Sequence, residues 1–179
     1  MIKSIALTNF KAYEDEVFNI APLTLIAGIN GMGKSSILQS LLMLRQSYDV
    51  DYLNKDEKQI RLNGHFVNME NSNVLCNTMA ADRTVVVSVE TEKGNHTWSI
   101  DAQDPEETTP SCTYEGNDYK TMSLFSNSME FLTAERVGPR SEYRVQSDKA
   151  YNTKLGVQGE LTPAYLYKSM QQNENIGMD

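Results

Sequence analysis

Residues 28–36 read Gly-Ile-Asn-Gly-Met-Gly-Lys-Ser-Ser, and they narrow the possible folds further than any other stretch of the chain. The spacing is a glycine, four residues, then Gly-Lys-Ser, a pattern whose backbone amides cradle phosphate groups. The flanks agree with it. Leu23, Thr24, Leu25, Ile26 and Ala27 form a short apolar run that predicts a buried strand. Pro22 opens that run, where a missing N–H is tolerated. Ile37, Leu38, Leu41, Leu42 and Leu44 then recur at helical spacing and predict a helix from about Lys34 to Tyr48. Strand, glycine-rich loop and helix, in that order, are the setting in which this motif acts.

Each residue type in the loop has a physical task. Glycines adopt backbone angles that side chains forbid and let amides approach a ligand closely. Successive N–H groups at a helix N-terminus form an anion-binding nest, which the helix dipole reinforces. Gly28, Asn30, Gly31, Gly33, Lys34, Ser35 and Ser36 are therefore the candidate phosphate-binding residues. Lys34 would set its ammonium against the β- and γ-phosphates, and Ser35 would offer its hydroxyl to Mg²⁺.

A chain of 179 residues is long enough for one domain, or for one domain with a small lobe. No apolar run approaches the roughly 20 residues needed to span a bilayer. The start of the chain lacks the apolar core of a signal peptide, since Ile5 and Leu7 alternate with polar or small residues. Cys76 and Cys112 are far apart and form no Cys-x-x-Cys pair, which argues against a zinc site or a disulfide framework. Together these features predict a cytoplasmic protein with reduced thiols. The formal charge of −8 argues against a large nucleic-acid surface, which needs clustered Lys and Arg. Arg136, Arg140 and Arg144 form the one local basic tract.

Along the chain, Ile2 to Thr8 alternates as a strand, and Glu16 to Ile20 reads as its antiparallel partner because the link is short. Asp49 to Gln59 is polar and loop-like. Asn54-Lys55-Asp56-Glu57 faintly echoes a guanine-reading element, but it follows the glycine-rich loop too closely and ends in Glu, so it reads as a solvated loop. Asn63-Gly64 marks a turn. Val74 to Met79 predicts a short helix. Thr84 to Glu90 is rich in β-branched residues and predicts a strand, with Trp98 to Asp101 as its hairpin partner across Lys93-Gly94-Asn95. Asp104 to Gly116 reads as a polar loop, Met129 to Thr133 as a core strand and Gly156 to Glu160 as a turn. Thr162-Pro163 starts a final helix.

The opening, Ile-Lys-Ser-Ile-Ala-Leu-Thr-Asn-Phe-Lys-Ala-Tyr, followed by Gly-Ile-Asn-Gly-Met-Gly-Lys-Ser-Ser, resembles the N-terminal half of ATP-binding-cassette-type ATPase heads. The nearest likeness is to SMC, Rad50 and RecF-like proteins and to bacterial AAA-family ATPases of the overcoming-lysogenization-defect kind. Asn30 and the doubled Ser35-Ser36 are typical of that class. Residues 61–67, Arg-Leu-Asn-Gly-His-Phe-Val, and residues 131–136, Phe-Leu-Thr-Ala-Glu-Arg, resemble a narrower subgroup. The resemblance implies an α/β P-loop NTPase fold, a mixed sheet around the loop helix with an antiparallel β lobe. It implies a nucleotide-binding core at residues 1–59, the lobe at 60–130 and a return to the core with a C-terminal helix at 131–179. It implies ATP and Mg²⁺ as ligands, a second ATPase head as partner, and a DNA or nuclease partner. Lys11 and Arg136 would sense phosphate or the partner head, although a solvated loop lysine and an exposed structural arginine fit those positions as well. Gln39 reads as a helix-face residue.

A hydrolytic head also needs an apolar strand ending in Asp-Glu, to hold the Mg²⁺ shell and position the attacking water. After residue 80 no four-residue apolar run leads into Asp-Glu, and Leu155 to Glu160 lacks the serine of the signature segment. The sequence therefore reads as the front half of a head whose catalytic half lies elsewhere, with an incomplete fold. A non-catalytic interaction module with a vestigial loop is the second reading. A small P-loop kinase is a third, poorly supported by the antiparallel start.

Overall fold

The computed structural model describes residues 1–135, 138, 142 and 155–171. The chain divides into two units, Met1–Ser126 and Asn127–Asp179. The first is built on one six-stranded sheet. In chain order its elements are β1 (Ile2–Phe10), β2 (Tyr13–Asn19), α1 (Lys34–Asp49), β3 (Lys58–Gln59), α2 (Ser72–Leu75), β4 (Thr84–Thr91), β5 (Gly94–Asp101) and β6 (Ser111–Gly116). The strands lie in the order β2-β1-β4-β5-β6-β3, and each pairing is antiparallel.

Strands β1, β4 and β5 follow the period-two pattern of the sequence, whereas β2 is largely exposed along its length. On β1, Ile5 and Leu7 face inward, and on β4 Val85, Val87 and Val89 do the same. The register sets Leu7 opposite Val87 and Val87 opposite Trp98, so one apolar row crosses three strands. The opposite face carries Ser4, Ala6, Ser88 and Thr97, with Ser88 and Thr97 sharing a 2.9 Å hydroxyl hydrogen bond. The β4–β5 strands meet in a turn at Glu92-Lys93, where the Thr91 hydroxyl accepts from the Lys93 amide at 3.1 Å.

Helix α1 is anchored on its buried side by Ile37, Ser40, Met43, Leu44 and Ser47. Two small serines lie at this interface without leaving bare hydroxyls. Ser40 donates to the Ile37 carbonyl and Ser47 to the Met43 carbonyl, at 2.8 and 2.7 Å. At the C-terminal end Arg45, 1% exposed, donates to the Asp49 carboxylate at 3.0 Å and to the carbonyls of Leu124 and Ser126 at 2.8 and 2.6 Å. The far end of the core is aromatic: Trp98, Tyr114, Tyr119, Phe125 and Tyr48 form a chain of ring contacts.

In the second unit, the turn at residues 156–160 uses Gly156 and Gly159 at positive φ, as the sequence predicts, and helix α3 (Thr162–Gln171) follows it. The Thr133 amide donates to the Val157 carbonyl at 2.8 Å.

Several expectations need correcting. The apolar run from Leu23 to Ala27 is not a buried strand: it pairs with no strand among the described residues, and Leu23 and Leu25 are 90% and 89% exposed. For the same reason the sheet is antiparallel throughout the described residues, not mixed. Residues 111–116 leave the predicted polar loop to form β6, because Cys112 and Tyr114 turn inward opposite Ile100 and Trp98 while Thr113 and Glu115 stay out. The short helix lies at 72–75 rather than 74–79, since Cys76 is drawn into a bridge with Phe10. Met129 to Thr133 forms no strand and remains half-exposed. Among the described residues no helix is long and apolar enough to cross a membrane.

Candidate functional site

The candidate residues come together where the glycine-rich loop enters α1. Gly33 is the N-cap, in the left-handed conformation at φ +82° and ψ +2°. Its carbonyl accepts two hydrogen bonds, from the Ser36 amide at 2.8 Å and from the Tyr13 hydroxyl at 2.9 Å. A Cβ at Gly33 would lie 2.9 Å from the Tyr13 hydroxyl oxygen and 3.0 Å from its Cζ. Glycine is thus required twice, by the dihedral and by the approach of the tyrosine. Gly31 has a similar φ of +85°, but a Cβ there would meet nothing within 4 Å. The loop is open on that side.

Lys34 reaches back over the loop. Its Nζ donates to the carbonyl oxygens of Gly28 at 2.7 Å and Ile29 at 2.6 Å. The ammonium therefore stands among the same residues whose amides would receive an anion, and a phosphate oxygen could replace those carbonyls as its acceptor. The first turn of α1 holds no acidic residue, so nothing there competes with an anion for the positive end of the helix. The Ser36 amide is taken by the Gly33 carbonyl, and the amides of Lys34 and Ser35 at the very start of the helix are the ones a ligand would meet. Asn30 and Ser35 are exposed, and Ser36 is buried at the helix start.

The geometry fits a polyphosphate in the loop: a left-handed glycine cap, an open face at Gly31, the amides that begin the helix and one ammonium. It also fits one protein ligand to Mg²⁺, the exposed hydroxyl of Ser35, a hard oxygen donor of the kind that ion prefers. Among the described residues no group of three or more His, Cys, Asp or Glu could hold a metal ion. The remaining oxygens around Mg²⁺ would come from phosphate and water.

Lys11 is placed differently from the loop lysine. It turns at φ +51° just after β1, and its amide donates to the Leu75 carbonyl at 2.9 Å. Its Nζ donates to Gln39 Oε1 at 2.8 Å, along the flank of α1. Burial pulls the Lys11 pKa below the ordinary lysine value. Lys11 would have to leave Gln39 to reach a phosphate. Arg136 lies outside the described residues.

Sequence reasoning missed Tyr13. It stands at the start of β2, across a two-residue turn from Phe10, and its ring meets Phe18 edge-on with centroids 5.1 Å apart. The only local hint is that Gly33 follows Gly31 so closely; one left-handed glycine serves the loop, and the second makes room for a neighbour. Beside this junction, Leu23, Leu25, Ile29 and Met32 are largely exposed.

The sequence pattern of the AAA ATPase domain matches residues 1–168. No curated protein and no solved structure matches the chain.

Proposed function

Because the chain belongs to the AAA ATPase domain family, we propose that residues 28–36 are its Walker A loop and that the chain binds Mg-ATP as one segment of an SMC- and RecF-like ATPase head. The observation that carries this reading is the Gly33–Lys34 junction. A left-handed cap opens the helix N-terminus, and the Lys34 ammonium stands over the same loop.

In this reading Lys34 exchanges the Gly28 and Ile29 carbonyls for the β- and γ-phosphates. The amides of Gly31, Gly33, Lys34 and Ser35 would face the phosphates, and Ser35 would hold Mg²⁺ in place. Tyr13 keeps the Gly33 carbonyl fixed, so the helix start is set before ligand arrives. Bound ATP supplies the anhydride bond to be cleaved. Cleavage needs a carboxylate that positions water, and that group comes from a completing half in a longer chain, a second polypeptide or a second head. The exposed apolar residues Leu23 and Leu25 support such completion, because a strand at this place would be covered by neighbours. Residues 1–59 would be the nucleotide-binding core, with a cytoplasmic location and a DNA or nuclease partner for the assembled head.

A phosphate-release assay on the isolated chain with saturating Mg-ATP tests the division of labour. The reading expects binding without turnover. Steady phosphate release that Lys34→Ala abolishes would show that the chain carries its own water-positioning group, and would overturn the need for completion.

A further inference from the structure

The chain contains two Asn-Gly pairs, Asn30-Gly31 in the glycine-rich loop and Asn63-Gly64 in the turn between β3 and α2. Asparagine is a thermolabile residue. Its weak point is the side-chain amide, which the backbone nitrogen of the next residue attacks. Glycine makes that attack easiest, because it puts no side chain in the way and lets the chain bend freely. The two pairs stand in opposite surroundings. At the second, the Gly64 amide donates to the Val67 carbonyl at 2.9 Å, and Asn63 Nδ2 donates to the Glu70 carbonyl at 2.7 Å. Both reacting groups are tied, and a Cβ at Gly64 would lie 2.6 Å from Gln46 Oε1. At the first, Asn30 and Gly31 are exposed, and a Cβ at Gly31 would meet nothing within 4 Å. Among the described residues neither the Gly31 amide nor the Asn30 side chain has a hydrogen-bond partner. The start of α1 and the Lys34 ammonium, held at the Gly28 and Ile29 carbonyls, stand at the same loop. Their positive potential favours the deprotonated form of the Gly31 nitrogen, which is the nucleophile.

We infer that Asn30 is a site of spontaneous conversion to aspartate or isoaspartate, and that the conversion ends polyphosphate binding at the loop. The Gly31 nitrogen forms a bond to Asn30 Cγ. The bond from Cγ to Nδ2 breaks, and Nδ2 leaves as ammonia with the proton that the Gly31 amide gives up. Water then opens the cyclic imide. Opening at Cγ leaves aspartate. Opening at the main-chain carbonyl carbon of residue 30 leaves isoaspartate, with the main chain rerouted through Cγ. Nothing is oxidised or reduced. Either product sets a carboxylate in a loop that holds a single lysine, Lys34, where it repels phosphate and competes for the ammonium. This consequence rests on the phosphate-site reading above; the conversion itself does not. The same reading makes a bound nucleotide protective, since its phosphates would cover the Gly31 amide.

The full chain, kept in mildly alkaline buffer with and without Mg-ATP, tests this by peptide mass mapping alongside calorimetric titration of Mg-ATP. The Asn30 peptide should gain the mass by which an acid exceeds its amide at least about tenfold faster than the Asn63 peptide. The number of Mg-ATP sites should fall in step with the unconverted fraction, and saturating Mg-ATP should slow the conversion at least about threefold. Asn30→Asp, made directly, should bind Mg-ATP at least about tenfold more weakly and keep the melting temperature of the unaltered chain. Equal rates at Asn30 and Asn63 would overturn the modification site. Full affinity in the converted chain or in Asn30→Asp would overturn the loss of binding. Binding of Mg-ATP without protection would overturn the contact between phosphate and the Gly31 amide. Fast conversion at Asn30 in a chain whose fresh form binds no Mg-ATP would overturn the phosphate site and the loss of binding together, while the modification site stands.

Discussion

Replacing Gly33 by alanine isolates the contact that fixes the loop. A residue with a side chain in the left-handed region costs about 1–2 kcal/mol. Gly31 reports that cost alone, because its φ is +85° and a Cβ there meets nothing within 4 Å. At Gly33 the φ of +82° imposes the same strain, and the new Cβ also lies 2.9 Å from the Tyr13 hydroxyl oxygen. The ring must move, which forfeits its 2.9 Å hydrogen bond to the Gly33 carbonyl, worth about 1 kcal/mol net. Displacing the ring from its packing adds roughly another 0.5–1 kcal/mol. Gly33→Ala should therefore destabilise the chain by about 2.5–4 kcal/mol, against about 1–2 kcal/mol for Gly31→Ala. Urea unfolding can be followed through Trp98, the single tryptophan, which is fully buried. In a Tyr13→Ala background the gap between the two glycine variants should close. Equal costs in the unaltered chain, or a gap that survives without Tyr13, would show that the tyrosine contact does not set the difference.

Other consequences follow from the core. Burial holds the His96 pKa below the ordinary imidazole value of 6.5, with Asp118 pulling the other way. Burial also lowers His65; Asp49 opposes the shift, and Arg61 and Arg45 add to it. The unfolded chain then binds protons more readily, so the urea midpoint should be level above about pH 6.5 and fall as the pH drops below it. A midpoint that rises between pH 7 and 6 would contradict this. Arg45→Met removes charge-assisted donors from Asp49 and from the carbonyls of Leu124 and Ser126, and should cost roughly 3–5 kcal/mol by scanning calorimetry. A loss under about 1 kcal/mol would show that the network contributes little. Burial pushes the Cys112 thiol up to about 12 and raises that of Cys76 as well. At pH 8 both should resist alkylation by iodoacetamide in the folded chain and react in urea; rapid labelling without denaturant would argue against a packed core.

Much of this fold is legible because its signals are local. The β-branched run of β4, the Asn63-Gly64 turn and the helix after Lys34 depend on near neighbours in sequence, and each occurs where expected. The failures depend on partners far along the chain. Leu23 to Ala27 has the composition of a buried strand, but burial requires neighbouring strands, and the described residues supply none. Strand β6 was hidden by its polar residues, since the inward positions are only Cys112 and Tyr114 and the pattern has meaning once Trp98 and Ile100 stand opposite. At the candidate site, the residues of the loop are readable from spacing alone. The Tyr13 hydrogen bond and the Lys11–Gln39 pair are not, because each joins the first hairpin to α1 through a fold that spacing does not reveal.

In the proposed reading, the loop at residues 28–36 binds the phosphates of ATP through Lys34. Calorimetric titration of Mg-ATP into the chain and into Lys34→Ala tests it most directly. The unaltered chain should bind with a dissociation constant on the order of micromolar. The variant should bind at least about tenfold more weakly, as expected for losing a charge-assisted contact, with an unchanged melting temperature. Unaltered affinity in Lys34→Ala would contradict the claim.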